Sequence, residues 1–210
     1  MKKSDNTYIA RLASVVSICY FLLVGLYFSP VNLTGKIVLP LAFLTLCAIR
    51  LSHWPIVLAM GFSALGDLMG FCHNLWMQVG AFAFVHIAYI FFFWHTCRQD
   101  RSTDGIKRKS LIVFLFGLAA GIFILPHVNG ILQAGVSVYI LLIMTMCIFA
   151  WTHKNRYYAL GAWLFVISDT VLAWNMFVSP IKCAGLFIMI PYYLGQWILF
   201  VQSIRSKQEP

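Results

Sequence analysis

The 210-residue chain is 61% hydrophobic and only 10% charged, with a mean hydropathy of +0.86, a balance that excludes an ordinary soluble domain and points to an integral membrane protein. A net charge of +9 raises nucleic acid as a partner, but no aromatic-interleaved basic face accompanies it, so no nucleic-acid role is expected. The six cysteines stand singly, without CxxC spacing, as packing residues rather than a disulfide framework or a metal site.

In chain order, apolar windows of about 20 residues follow one another, each long enough to cross a hydrocarbon core of roughly 30 Å. Eight spans are expected, at about 8–28, 33–51, 54–72, 75–97, 110–127, 130–151, 157–178 and 183–204. The first keeps Arg11 and lacks a small-x-small cleavage pattern, so it stays as a helix. The second carries Lys36 near its start, and the third carries FSALGDLMG with Asp67. The fourth holds His86 and Tyr89 within GAFAFVHIAYI, and the basic run RQDRSTDGIKRK (98–109) follows as a loop that touches anionic headgroups. The sixth span holds Tyr139, the seventh holds LFVISD with Ser168 and Asp169, and the eighth holds PYYLGQ with Tyr192, Tyr193 and Gln196.

Most of the Lys and Arg residues fall at alternate ends of these spans. By the positive-inside rule both termini and the loops after spans two, four and six face the cytoplasm. The fold class is therefore all-α, one polytopic bundle of eight transmembrane helices over residues 1–210. A short basic chain without organelle signals fits a bacterial inner membrane. FSALGD (62–67) and LFVISD (164–169) set an aspartate at matched depth in helices of the same direction, which suggests two parallel four-helix repeats. Gly66 with Gly70, and Gly117 with Gly121, give GxxxG spacing for close helix packing.

Of the six acids only Asp67 and Asp169 fall inside spans, roughly 18–20 Å from the cytoplasmic ends at about 1.5 Å per residue. A charged carboxylate there costs about 2.5–3.5 kcal/mol on insertion scales, so it faces the bundle interior and marks a functional site. The spans of opposite direction offer Lys36, His86, Tyr89, Tyr139, Tyr192, Tyr193 and Gln196 at comparable levels, a set that would line a polar cavity around the two acids. Lys36 either faces that cavity or snorkels to the outer interface. His53, His73, His95, His127 and His153 lie near span ends and are expected at the interface. Ser168 can bond back to its own helix. Phe82, Phe84, Trp163 and Phe165 are candidates to line a lipid chain, although most aromatics of such a chain simply face lipid. No HExxH, GxSxG, Walker loop or GxGxxG is present.

GDLMG (66–70), GAFAFVHIAYI (80–90), GAWLFVISDTVLA (161–173) and PYYLGQ (191–196), with Lys36-x-x-x-Pro40 upstream, resemble the YhhN family, whose animal members are lysoplasmalogenases. The resemblance implies an eight-span hydrolase that cleaves the vinyl ether bond of a lysoplasmalogen to a fatty aldehyde and a glycerophospho-ethanolamine or -choline. It implies functional roles for Lys36, Asp67, His86, Ser168, Asp169, Tyr193 and Gln196; with Tyr139 added from the polar set above, the two aspartates are expected to be catalytic and the others supporting. A lysophospholipid in the bilayer is then the partner, and neither metal nor cofactor is needed. Vinyl ether hydrolysis needs an acid to protonate the β-carbon and an anion to steady the oxocarbenium, which paired acids sharing one proton can supply. A proton-coupled transporter or a binder of a lipid-like solute would use the same buried acids.

Overall fold

A computed structural model describes residues 2–96 and 105–208. Residues 97–104, with Cys97 and most of the expected 98–109 loop, lie outside the described residues, as do Glu209 and Pro210. Among the described residues there are eight α-helices and no strand: α1 (Lys2–Phe28), α2 (Leu39–Leu51), α3 (Trp54–Phe71), α4 (Leu75–Phe91), α5 (Ile106–Ile124), α6 (Ile131–Trp151), α7 (Arg156–Ala173) and α8 (Ala184–Gln208). π-helical turns extend α4 over Phe92–Thr96 and α7 over Trp174–Val178. Seven helices are long and apolar enough to span a membrane.

The exception corrects the expected second span. α2 has 13 residues, about 20 Å at 1.5 Å per residue, well short of a hydrocarbon core of about 30 Å. The apolar stretch begins at 33, but residues 34–38 form turns, with Gly35 at φ +74°, a conformation open chiefly to glycine. The helix starts only where Pro40, whose φ is fixed and whose missing N–H costs nothing in a first turn, sets it. Elsewhere the boundaries follow local signals. Pro55 opens α3. Asn74 Oδ1 accepts from Met77 N at 3.2 Å at the head of α4, and Asn155 Oδ1 accepts from Tyr157 N at 3.0 Å at the head of α7.

The chain divides into two compact units, Met1–Val85 with Phe200–Pro210, and His86–Leu199. In the first, α2 packs against α1 and α3. Its α3 buries Ile56, Ala59, Met60, Ser63, Gly66 and Asp67, the i, i+3, i+4 stripe of one helix face. A Cβ on Gly66 would stand 2.8 Å from the Phe82 ring, and one on Gly70 2.6 Å from the Gln78 amide, so both glycines of that pair admit α4 at close range. At the end of this unit Lys207 Nζ donates to Ser52 O at 2.6 Å, the Ser52 and Ser203 hydroxyls are hydrogen-bonded, and Ser206 Oγ lies 3.4 Å from His53 Nε2. Arg50 is exposed at the same α2 terminus, one turn from these groups.

In the second unit α6 packs against α5 and α7. Here α7 buries Tyr158, Ala159, Gly161, Ala162, Phe165, Val166 and Ser168 along one stripe. A Cβ on Gly195 of α8 would meet the Gly161 carbonyl at 2.9 Å, a backbone approach between two helices that GxxxG spacing within one helix does not mark. Of the expected Gly117–Gly121 pair, Gly117 is covered by Met144 of α6, whereas a Cβ on Gly121 would meet only Leu125 of its own helix. Lys109 Nζ donates to Trp151 O at 3.1 Å, which brings the basic start of α5 to the end of α6 that precedes Lys154 and Arg156. His153, in the link between α6 and α7, is 6% exposed, with Tyr158 and Phe93 packed on its ring.

Candidate functional site

Asp169 continues the buried stripe of α7 one turn beyond Phe165, four residues before the helix gives way to its π turn. Its side chain is 12% exposed. On α6, Tyr139 donates its hydroxyl hydrogen to Asp169 Oδ2. On α4, His86 is fully buried and sets Nε2 2.9 Å from the Tyr139 oxygen and 3.6 Å from Asp169 Oδ2. Its ring is held edge-on to Tyr139 and to Phe165, each with centroids 5.0 Å apart. Three helices thus contribute one polar side chain each to a single cluster.

The hydrogen-bond directions fix the proton positions. Tyr139 has one O–H, and it goes to the carboxylate. Its oxygen therefore accepts from His86 Nε2–H, which makes a neutral His86 the Nε2–H tautomer. Nδ1 is then a bare acceptor, buried, with no hydrogen-bond partner among the described residues. A buried acceptor of this kind costs about 1–3 kcal/mol unless a donor reaches it, a cost more often found at functional positions than in inert cores.

Around the cluster lie the other expected residues of this unit. Gln196 of α8, fully buried, accepts at Oε1 from the Tyr89 hydroxyl at 2.5 Å. Ser168 Oγ donates to Ile188 O at 2.9 Å, across to α8 rather than back along α7 as expected. That carbonyl stands in the turn interrupted by Pro191, where a hydroxyl from a neighbouring helix commonly satisfies the disturbed backbone. Tyr193 is 1% exposed and packs on Tyr192, 5.3 Å between centroids, and Tyr192 lies edge-on to Phe165. Phe165 is therefore a wall of the cluster rather than a lipid-facing ring. Trp163 is wedged edge-on between Phe116 and Trp151, while Phe84, 54% exposed, faces outward beside Phe62.

Asp169 and Tyr139 also line a cavity of about 60 Å³ walled by α5, α6 and α7. One water needs roughly 10–15 Å³ by the same measure, so there is room for a short apolar group. Its walls include Phe116, Gly117, Ala120, Ile140 and Met144. Of these only Gly117 stands out in the sequence, for its GxxxG spacing, because nothing there distinguishes a cavity-lining apolar residue from a lipid-facing one.

The remaining two expected residues lie in the first unit. Asp67 is 5% exposed, buried on its stripe one turn after Ser63. It stands four residues before the end of an 18-residue helix, as Asp169 does in α7. Lys36 is not inside a span: it sits in the α1–α2 link and donates through Nζ to Ser29 O at 2.7 Å and Val31 O at 3.0 Å. The two carbonyls belong to the turn just past α1, whose C-terminal dipole also favours a cation.

Comparison with known proteins agrees with the resemblance. The chain is 32% identical over 153 residues to the lysoplasmalogenase TMEM86B of Sus scrofa, covering 70% of the chain and 61% of that protein. It is 30% identical over 131 residues to the lysoplasmalogenase TMEM86B of Homo sapiens, covering 61% and 53%, and 26% identical over 166 residues to the lysoplasmalogenase TMEM86A of Bos taurus, covering 73% and 66%. The chain thus spans about three fifths of the length of the curated relatives it matches. No solved structure matches it. The model of the YhhN family matches residues 31–204, a stretch that takes in every residue of the cluster, and the chain belongs to the YhhN family.

Proposed function

We propose that the chain is a membrane hydrolase that cleaves the vinyl ether bond of a lysoplasmalogen, releasing a fatty aldehyde and a glycerophospho-base. The observation that carries this is Asp169, held by Tyr139 and flanked by His86 at the edge of an apolar cavity. The names of the relatives support the same substrate class.

In the proposed reaction Asp169 is the general acid. Its carboxyl gives a proton to the β-carbon of the vinyl ether, leaving an oxocarbenium ion at the carbon bonded to oxygen. The carboxylate formed keeps the Tyr139 hydrogen bond on Oδ2, a bond to a charged acceptor worth about 1.5–3 kcal/mol. It then takes a proton from water as the water adds to the oxocarbenium, which restores the acid and gives a hemiacetal. Collapse of the hemiacetal yields aldehyde and alcohol, so one water is consumed and the site returns to its starting state. His86 steadies the tyrosine through Nε2. Tyr89, Gln196 and Ser168 act by position, tying α4 and α7 to α8, while Tyr193 packs on Tyr192, which lies against Phe165 of α7. Lys36 keeps the α1–α2 link closed.

A catalytic role for Asp67 is proposed from the sequence alone, as is a duplication of two four-helix halves; the equal placement of the two aspartates in helices of equal length is in keeping with it. The basic ends marked by Arg50 and Lys207 and by Lys109, Lys154 and Arg156 are proposed to face the cytoplasm of a bacterial cell, following the positive-inside rule. Purified protein in detergent, given a lysoplasmalogen, should release fatty aldehyde in a manner abolished by Asp169→Asn. A protein that binds or carries the lipid would release none.

A further inference from the structure

The cavity walled by α5, α6 and α7 has one chemical asymmetry. Phe116, Ala120, Ile140 and Met144 make it apolar, and three polar side chains touch it, Tyr139, Asp169 and Thr170. The Thr170 hydroxyl is turned back onto Val166 O at 2.7 Å and the Tyr139 hydroxyl is given to Asp169, which leaves the Asp169 side chain, 12% exposed, as the polar end of the space. A ligand of the cavity is therefore apolar, with a protonatable or hydrogen-bonding end at Asp169. The volume of about 60 Å³ accommodates a few chain carbons and not a whole fatty chain. Gly117 shapes it from below: a Cβ there would stand 2.8 Å from Met144 Cγ and 2.6 Å from its terminal methyl, so Met144 lies where it does only because position 117 has no side chain. Along α5 the neighbouring Leu118 and Ile122 are 47% and 61% exposed, a lipid-facing surface along which the rest of a chain can run.

We propose that this cavity holds the first carbons of the alkenyl chain next to the vinyl ether, with the reacting double bond at Asp169 and the tail leaving into the bilayer. This rests on the hydrolase function proposed above and adds a specificity to it. The protein discriminates substituents on the carbons nearest the ether and is indifferent to the far end of the chain. A methyl branch two carbons beyond the double bond should lower kcat/KM at least tenfold, while lengthening the tail by several carbons should change it less than threefold.

The test uses a 1-O-alkyl lysophosphoethanolamine, whose saturated ether is not cleaved, carrying a photoactivatable diazirine on the fourth chain carbon. With the unaltered protein in detergent micelles, label is expected on the α5, α6 and α7 residues that wall the cavity. It should be competed by the unlabelled alkyl lysolipid and fall at least tenfold in Ala120→Phe, with an intermediate yield in Ala120→Val. Label spread over outward-facing residues such as Ile122 and Leu118, and not competed, would overturn the assignment. Aldehyde release from a lysoplasmalogen is measured separately. Label in the cavity without turnover would sink the hydrolase function and leave the chain site standing; turnover with label elsewhere would sink the chain site alone.

Discussion

Replacing Tyr139 by phenylalanine removes one oxygen and keeps the ring that packs edge-on to His86, so it isolates the hydrogen bond to Asp169. A bond to a charged acceptor is worth about 1.5–3 kcal/mol, and each 1.36 kcal/mol is tenfold in rate, so loss of carboxylate stabilisation predicts a fall in kcat of about 10- to 150-fold. His86 Nε2 already stands 3.6 Å from Asp169 Oδ2 and can close part of the gap, which places the expected loss near the lower end, about tenfold. KM should hold, because the apolar walls of the cavity are untouched. Stability should change little, since hydrogen bonds between membrane helices average about 0.6 kcal/mol. The assay is the initial rate of aldehyde release over a range of lysoplasmalogen concentrations, with thermal unfolding in the same detergent as control. A kcat within twofold of the unaltered protein, with the fold intact, would refute the account of Tyr139 as the group that steadies the Asp169 anion.

Other outcomes follow from the same geometry. Asp169→Asn should lower kcat by about 10²–10⁴, the usual contribution of a general acid, and a rate near that of the unaltered protein would remove Asp169 from the chemistry. Asp67→Asn, in a folded and inserted protein, should lose activity to a similar extent if both carboxylates serve the reaction; full activity would leave Asp67 a packing residue of α3. Gly195→Val places side-chain atoms against the Gly161 backbone, 2.9 Å from a Cβ, and should cost about 1–3 kcal/mol, read as a lower unfolding midpoint. His53, outside the spans, has its pKa lowered from the usual 6.5 by burial and then by Lys207. The unfolded chain therefore binds the proton first as pH falls, so this group's contribution to stability is present above about 6.5 and lost below it. Unfolding midpoints should fall between pH 7.5 and 5.5, and less steeply in His53→Gln; an equal slope in both would exclude His53 as the source.

Much of the helix layout was legible because a continuous apolar run of about 20 residues has few alternatives in a membrane chain. α2 was not, since Val38 and Leu39 look alike to hydropathy, and only Gly35 and Pro40 decide that one lies in a turn and the other in a helix. Asp169, His86 and Tyr139 were legible as polar groups that hydrocarbon would not tolerate unpaired, and their mutual bonding needed only that α4, α6 and α7 be neighbours. For Lys36 the sequence left cavity and interface open, because its partners are two main-chain carbonyls, which leave no trace in side-chain identity. The cavity and the Gly161–Gly195 approach escaped notice for a related reason: both are made by side chains that are small or absent, and their meaning depends on which helix faces them.

Whether water cleaves the vinyl ether after protonation at carbon is decided by isotopic tracing of one turnover. The purified protein is given a lysoplasmalogen in deuterated, oxygen-18 water, and the aldehyde is trapped at once by reduction. The account predicts one deuterium on the aldehyde carbon next to the carbonyl carbon and no oxygen-18 in the hydroxyl of the glycerophospho product, with both products missing in Asp169→Asn. Aldehyde without that deuterium, a labelled glycerol hydroxyl, or no aldehyde at all would contradict it.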